Sequence, residues 1–247
     1  MIIDYTKKTV IVTGGTRGLG AAMVSAFSDA GANVIITGTK KIAVETPDIS
    51  GKSESLRYYQ LDYSSNKSVK EFISSVNKLE KVDVLINNAG VNQIETISDI
   101  SVEVWDWINA VNLRGPFLLT QAVSKMMKSQ DYGKIINIAS IFGVVSKEKR
   151  AAYSTAKSGL IGFTKAVALD LAPFNVHVNA VSPGFVDTDL TRRILGSEKI
   201  KSLQKTIPQG RLATPDEIAN VVLFLCSDLN TYITGENIIV DGGFTCA

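Results

Sequence analysis

Two patterns alternate along the chain. Short runs rich in β-branched and aliphatic residues recur at 9–13 (TVIVT), 33–37 (NVIIT), 56–61 (LRYYQL), 83–87 (DVLIN), 134–140 (KIINIAS), 176–182 (VHVNAVS) and 237–241 (NIIVD). Each has the length of a strand. Several are apolar throughout rather than alternating, the pattern of strands covered on both faces. Between them lie longer stretches of helical character near 18–30, 65–79, 101–129, 152–172 and 214–227. Strand, helix, strand, repeated, predicts an α/β fold: one doubly wound, seven-stranded parallel sheet with helices on both faces. Two places break the rhythm. Residues 38–55, with Pro47 and Gly51, predict a loop in place of a full crossover helix. Residues 183–213, with Pro183, Gly184, Pro208 and Gly210 around a mixed polar helix, predict a segment that covers the site. There is no linker and no repeat, so residues 1–247 are expected to form a single domain.

Composition narrows the function. Among 247 residues, Lys+Arg number 26 and Asp+Glu 24, a balance that argues against a dedicated nucleic-acid or membrane-surface binder. The two cysteines, Cys226 in an apolar run and Cys246 near the end, make no disulfide framework, which favours a reducing compartment. The first residues lack the order of a signal peptide, and no apolar stretch reaches the length of a membrane span. The cytoplasm is therefore the expected location. His177 is the single histidine and sits in a β-branched strand, so it reads as structural. A Ser-His-Asp hydrolase and a histidine-rich metal site have little support, and no metal is expected.

Chemistry enters at the first turn. TVIVTGGTRGLGAA follows the first strand and opens the first helix, with Gly14, Gly18 and Gly20 permitting a tight turn and close backbone approach. A helix N-terminus offers unpaired N–H groups and a positive dipole end to a pyrophosphate. An acid at the end of the second strand would bind the ribose 2′-hydroxyl of NAD and repel a 2′-phosphate. The chain reads NVIITGTKK there, with no acid, while Arg17 lies in the glycine turn and Lys40 and Lys41 follow the strand. These cations predict NADP(H) over NAD(H). Further on, AAYSTAKSGL (151–160) places Tyr153 one helical turn before Lys157. The ammonium is expected to pull the phenol down from its ordinary pKa of about 10.

With TGGTRGLG (13–20), NNAG (87–90), VN (111–112), Ser140, YSTAK (153–157) and SPGFVDT (182–188), the chain resembles the short-chain dehydrogenase/reductase family from its first strand to the closing DGG (241–243). It looks most like the 3-oxoacyl-[acyl-carrier-protein] reductases and related sugar and polyol dehydrogenases. The resemblance implies a Rossmann fold and a catalytic tetrad of Asn112, Ser140, Tyr153 and Lys157. Tyr153 would be the general acid/base and Ser140 would bond the substrate oxygen. Asn112 would hold a water in a proton relay through Lys157. Cofactor contacts are implied for Gly14, Thr16, Arg17, Gly18, Leu19, Gly20, Thr39, Lys40, Asp62, Asn88, Ala89, Gly90, Tyr153, Lys157, Pro183, Gly184, Val186 and Thr188. Asp62 could cap the helix over 65–79, alone or together with the cofactor contact.

Arg150, three residues before Tyr153, falls where the family's substrate pocket lies, with Lys147 and Lys149 nearby. With Ser140 and Tyr153 it is a candidate substrate contact, and it suggests a polar or anionic substrate such as a sugar acid. Carrier-protein reductases present basic residues before the fifth and sixth strands. Here Asp131 and Phe174 stand there, which disfavours acyl carrier protein as partner unless Arg114 or lysines substitute. Three functions follow: an NADP(H)-dependent oxidoreductase on a polar alcohol/ketone pair, a 3-oxoacyl-carrier-protein reductase, or a non-catalytic NADP-binding sensor or scaffold. The family implies a homotetramer that pairs the helices around 101–129 and 152–172 and the C-terminal region between subunits.

Overall fold

The computed structural model describes residues 3–41 and 55–247. Seven strands form one parallel sheet: β1 (Thr9–Val12), β2 (Asn33–Gly38), β3 (Leu56–Gln60), β4 (Val84–Asn87), β5 (Gly133–Ile138), β6 (Val176–Pro183) and β7 (Asn237–Val240), in the order β3-β2-β1-β4-β5-β6-β7. The order reverses between β1 and β4, so the loops leaving these two strands diverge and open a crevice at the carboxyl edge.

Two cores flank the sheet. Met23, Val24 and Phe27 of α1 (Gly18–Asp29) pack with Ile218, Val222 and Leu225 of α7 (Pro215–Cys226) against Val10, Val12 and Ile36. On the other face α2 (Asn66–Val76), α4 (Gly115–Gln130) and α5 (Ala151–Leu171) bury Val69, Phe72, Leu119, Val123, Ala168 and Leu171 against Ile11, Leu85 and Ile135. Strands β4 and β5 are buried at every position, β5 including the polar side chains of Lys134 and Asn137. Among the described residues no helix is long and apolar enough to cross a membrane.

The expected single helix over 101–129 is interrupted. It divides into α3 (Val102–Asn109), a π-helical turn (Ala110–Arg114) and α4. The cause is Pro116, which has no N–H to give the carbonyl of Asn112 four residues back. The ladder slips by one residue, and the Gly115 N–H bonds the Ala110 carbonyl five back. The mixed polar helix expected within 183–213 is α6 (Asp189–Gln204), capped by Thr188 and kinked at Gly196, where φ is 71°. The loop expected over 38–55 falls largely on residues 42–54, outside the described residues.

Candidate active site

The glycine turn needs its glycines for two different reasons. Gly14 and Gly18 have φ of +64° and +53°, in the left-handed region. Gly20 is needed for space: a Cβ there would lie 2.2 Å from the Gly14 carbonyl oxygen, so close approach seats α1 against the strand exit. The α1 N-terminus begins at Arg17 with no side-chain cap, whereas α2, α3 and α7 start under Ser65, Ser101 and Thr214. An uncapped helix start beside a glycine turn leaves N–H groups for an anion, and a dinucleotide pyrophosphate fits it.

Thr13 ties this turn to the exit of β4. Its hydroxyl accepts the N–H groups of Asn88 (2.9 Å) and Ala89 (3.0 Å). Asn88 donates its side-chain amide to the Thr13 carbonyl at 2.8 Å and the Gly14 carbonyl at 3.2 Å. Arg17, Thr39 and Lys40 are exposed at the mouth. Thr188 closes over the turn, its Cγ2 3.7 Å from where a Gly18 Cβ would stand. Gly184 is packed on Asp241, and Val186 bridges Ala213. Asp62 shapes a turn instead of capping α2: its carboxylate accepts the Ser64 N–H, and the cap is Ser65.

The four tetrad candidates converge below this turn. A Cβ on Gly90 would lie 3.0 Å from Asn112 Oδ1 and 3.6 Å from Lys157 Nζ, so this glycine separates the two side chains. Lys157 is only 3% exposed and donates to the Ile138 carbonyl at 2.7 Å, two residues before Ser140. Its Nζ stands 5.7 Å from the centre of the Tyr153 ring. Asn112 is fully buried in the π-helical turn, and its amide is committed to Val91: Oδ1 accepts the Val91 N–H at 3.0 Å, and Nδ2 donates to the Val91 carbonyl at 2.8 Å. A buried polar ladder (Asn87 to Thr120 and Asn137, Asn137 to Thr164) pins α4 and α5 to the sheet and fixes these positions.

One expectation is corrected. Burial raises the Tyr153 pKa, and the groups that oppose the rise are the Ser140 hydroxyl and the Arg150 charge, not Lys157. Lys157 is itself perturbed, its pKa lowered to about 8 by burial. Sequence spacing places a lysine one turn from a tyrosine; it does not say which carbonyl the ammonium will reach.

Arg150 stands at the start of α5 with its Cζ 5.5 Å from the Phe142 ring centre. Its Nε and Nη1 are buried and have no hydrogen-bond partner among the described residues. Lys147 pairs with Glu148 at the surface, and Lys149 is exposed. Phe142, Phe185 and Phe244 form an edge-to-face row, with ring centres 6.1 and 5.2 Å apart, that carries the wall from Arg150 to the C-terminus. These rings, Thr13 and Asn137 were not singled out in the sequence. A strand-end threonine gives a weak signal, and rings 40 to 60 residues apart give none before the chain is folded.

A family model described as Enoyl-(Acyl carrier protein) reductase matches residues 14–245. The chain belongs to the short-chain dehydrogenase/reductase family. It is 43% identical to the 3-oxoacyl-[acyl-carrier-protein] reductase of Aquifex aeolicus, over 98% of this chain and 99% of that protein. It is 35% identical to an NAD-dependent glycerol dehydrogenase of Listeria innocua, over 98% of this chain and 95% of that protein. Among solved structures, a short-chain type dehydrogenase/reductase from Mycobacterium marinum superposes with a TM-score of 0.90 at 30% identity, covering 100% of this chain and 98% of the other. A provisionally named gluconate dehydrogenase from Agrobacterium tumefaciens gives 0.93 at 28%, covering 100% and 99%. The family binds NAD(P) and acts on CH–OH donors, so the chain is an oxidoreductase of this kind. Family membership does not name the substrate, because one fold and one tetrad serve several.

Proposed function

We propose that this short-chain dehydrogenase/reductase is NADP(H)-dependent and interconverts a secondary alcohol and a ketone on a polar, anionic substrate such as a sugar acid. The observation that carries the substrate class is Arg150: two buried guanidinium nitrogens without a partner among the described residues, beside Tyr153 whose charge state they influence. Guanidinium nitrogens without a partner among the described residues fit a carboxylate or phosphate. The cofactor preference rests on the exposed cations Arg17 and Lys40, with Thr39, at the end of β2, where no acid stands.

When bound, NADP(H) supplies or accepts the hydride. The nucleotide would lie along the α1 N-terminus, with Thr16, Leu19, Asn88, Ala89, Gly90 and Asp62 toward the adenosine half. Lys157, Pro183, Gly184, Val186 and Thr188 would face the nicotinamide half. In the reduction direction Tyr153 gives its hydroxyl proton to the carbonyl oxygen. Its raised pKa keeps that proton on the phenol until it is needed, and the Ser140 hydroxyl steadies the phenolate that follows. Lys157 returns the proton. The Asn112 side chain is spent on Val91, so we place the relay water on the Asn112 backbone carbonyl, whose α-helical partner four residues on would be Pro116, a residue with no N–H. A homotetramer is supported by the outer face of α4 and α5, where Phe117 stacks edge-on against Phe163 and Leu169 is 78% exposed.

A second reading, reduction of a 3-oxoacyl group on acyl carrier protein, is favoured by the identity to the Aquifex relative of that name. Arg114 does not supply the missing basic site: it precedes α4 and bonds Asn66, while Asp131 follows the helix's far end. Lys128, whose ammonium lies over the Phe174 ring, is better placed. A non-catalytic sensor has less support, because the buried Lys157 and its neighbours are assembled around a crevice.

The test compares an oxo sugar acid with an acetoacetyl thioester as NADPH-dependent substrates for the wild type and for Arg150→Leu. Loss of a charge-assisted bond predicts a drop of roughly 10- to 100-fold in kcat/KM for the anionic substrate. Fast thioester turnover, unaffected by Arg150→Leu and with no activity on oxo acids, would replace the first reading by the second.

A further inference from the structure

The turn that leaves β2 is held by side chains from its neighbour. Strand β3 pairs with β2 through Ile36↔Tyr58 and Gly38↔Gln60, and the Leu61 N–H closes that ladder on the Gly38 carbonyl. Beyond Gly38 no strand partner is left for the backbone. Two side chains take over: the Tyr58 hydroxyl donates to the Lys40 carbonyl at 2.6 Å, and Gln60 Nε2 donates to the Thr39 carbonyl at 3.0 Å. Two successive carbonyls are thereby turned toward β3. In a trans peptide the next N–H points opposite to the carbonyl, and the described residues have no cis bond. The N–H groups of Lys40 and Lys41 therefore face away from β3. Among the described residues no acceptor meets either of them. On the other flank of Gly38 lies the glycine turn, with Thr16 Cγ2 3.1 Å from where a Gly38 Cβ would stand. That Cβ would also strike the Tyr58 hydroxyl at 2.9 Å, so Gly38 and Tyr58 fit only as a pair.

We infer that Tyr58 and Gln60 are positioning residues for cofactor choice: they orient the 39–41 turn so that two backbone N–H groups, flanked by the Lys40 and Lys41 ammoniums, form a seat for the 2′-phosphate. Successive N–H groups turned to one side make a small anion-binding concavity, and the carbonyl dipoles are directed away from it. A lone lysine at a strand end is a mobile charge; a lysine on a backbone fixed from the neighbouring strand acts at a defined place. The inference rests on the NADP(H) reading above, and it adds two residues on β3 that would not themselves touch the nucleotide.

Fluorescence titration of NADPH and NADH, without substrate, separates the two ideas. Wild type, Tyr58→Phe and Gln60→Met are compared, with melting temperatures recorded for each. Wild type is expected to bind NADPH more tightly than NADH. Each variant is expected to weaken NADPH roughly threefold to tenfold, the worth of one hydrogen bond, with NADH changed by less than about twofold. A wild type that prefers NADH overturns the NADP(H) reading and this inference with it. A wild-type NADPH preference that survives unchanged in both variants overturns this inference alone. Equal weakening of both nucleotides also overturns it, since that result reports general loosening of the turn.

Discussion

Strand β5 serves two buried lysines, one at each end, and they have opposite company. Lys134 lies at its start and Lys157 reaches the Ile138 carbonyl at its finish; each is 3% exposed. Each donates to a backbone carbonyl, Asn230 at 2.6 Å and Ile138 at 2.7 Å, and burial lowers the pKa of both. Lys134 also meets His177 Nδ1, within a polar cluster that holds Tyr132 on Asp228 and Asp83 between Lys8 and Lys81. Lys157 has one acceptor among the described residues and otherwise faces Gly90, Asn112 and the Tyr153 ring. An ammonium has three donors. At the Lys134 end most of that capacity is used inside the protein; at the Lys157 end it is left facing a crevice. A depressed lysine pKa thus does not mark a site by itself. Unfilled hydrogen-bonding capacity toward a crevice does, and Arg150 at the same edge shows it again.

The pair can be separated by one substitution at each end. Lys157→Met is expected to lower kcat/KM at least about a hundredfold, the scale of a lost proton-transfer group. Lys134→Met is expected to leave turnover within about twofold. It should instead cost stability, roughly 1–3 kcal/mol for each buried acceptor left without its donor, read by urea unfolding. Equal losses of turnover at the two ends would erase the distinction.

A smaller effect sharpens the Lys134 end. The folded-state pKa of His177 is lowered, first by burial and then by Lys134. Below about pH 6.5, the ordinary histidine value, the unfolded chain takes up a proton that the folded chain refuses. Stability from this group is therefore complete above that pH and declines as pH falls through the folded pKa. His177→Gln should flatten the acid limb of the melting temperature against pH. Lys157 leans the same way in a higher window, because its folded pKa of about 8 lies below the ordinary lysine value: stability rises with pH between them.

The strands were legible because parallel strands covered on both faces are written as nearly unbroken aliphatic runs, and β1 and β4 are the plainest cases. Family membership was legible because six motifs keep one order along the chain. What escaped was set by interactions between distant segments. The helix expected through 101–129 is broken by Pro116, whose effect falls on the hydrogen-bond register and not on hydrophobic periodicity. The four-residue step from Tyr153 to Lys157 was visible, but the ammonium goes to Ile138, and the perturbation of Tyr153 comes from burial, Ser140 and Arg150. Arg150 could be picked out by position; that two of its nitrogens lack a partner could not. Tyr58 and Gln60 read as ordinary strand residues until their targets on the next strand's exit are seen.

A catalytic crevice around Tyr153 and a mere nucleotide seat differ in what the loss of one phenol does. NADPH oxidation and NADPH binding should be measured side by side for the wild type and Tyr153→Phe, on an oxo acid or acetoacetyl thioester that the wild type reduces. Tyr153→Phe is expected to lower kcat at least about a thousandfold, with NADPH affinity changed by no more than about threefold. Undiminished turnover by Tyr153→Phe would contradict a catalytic crevice, and so would a wild type that binds NADPH and reduces neither class of carbonyl.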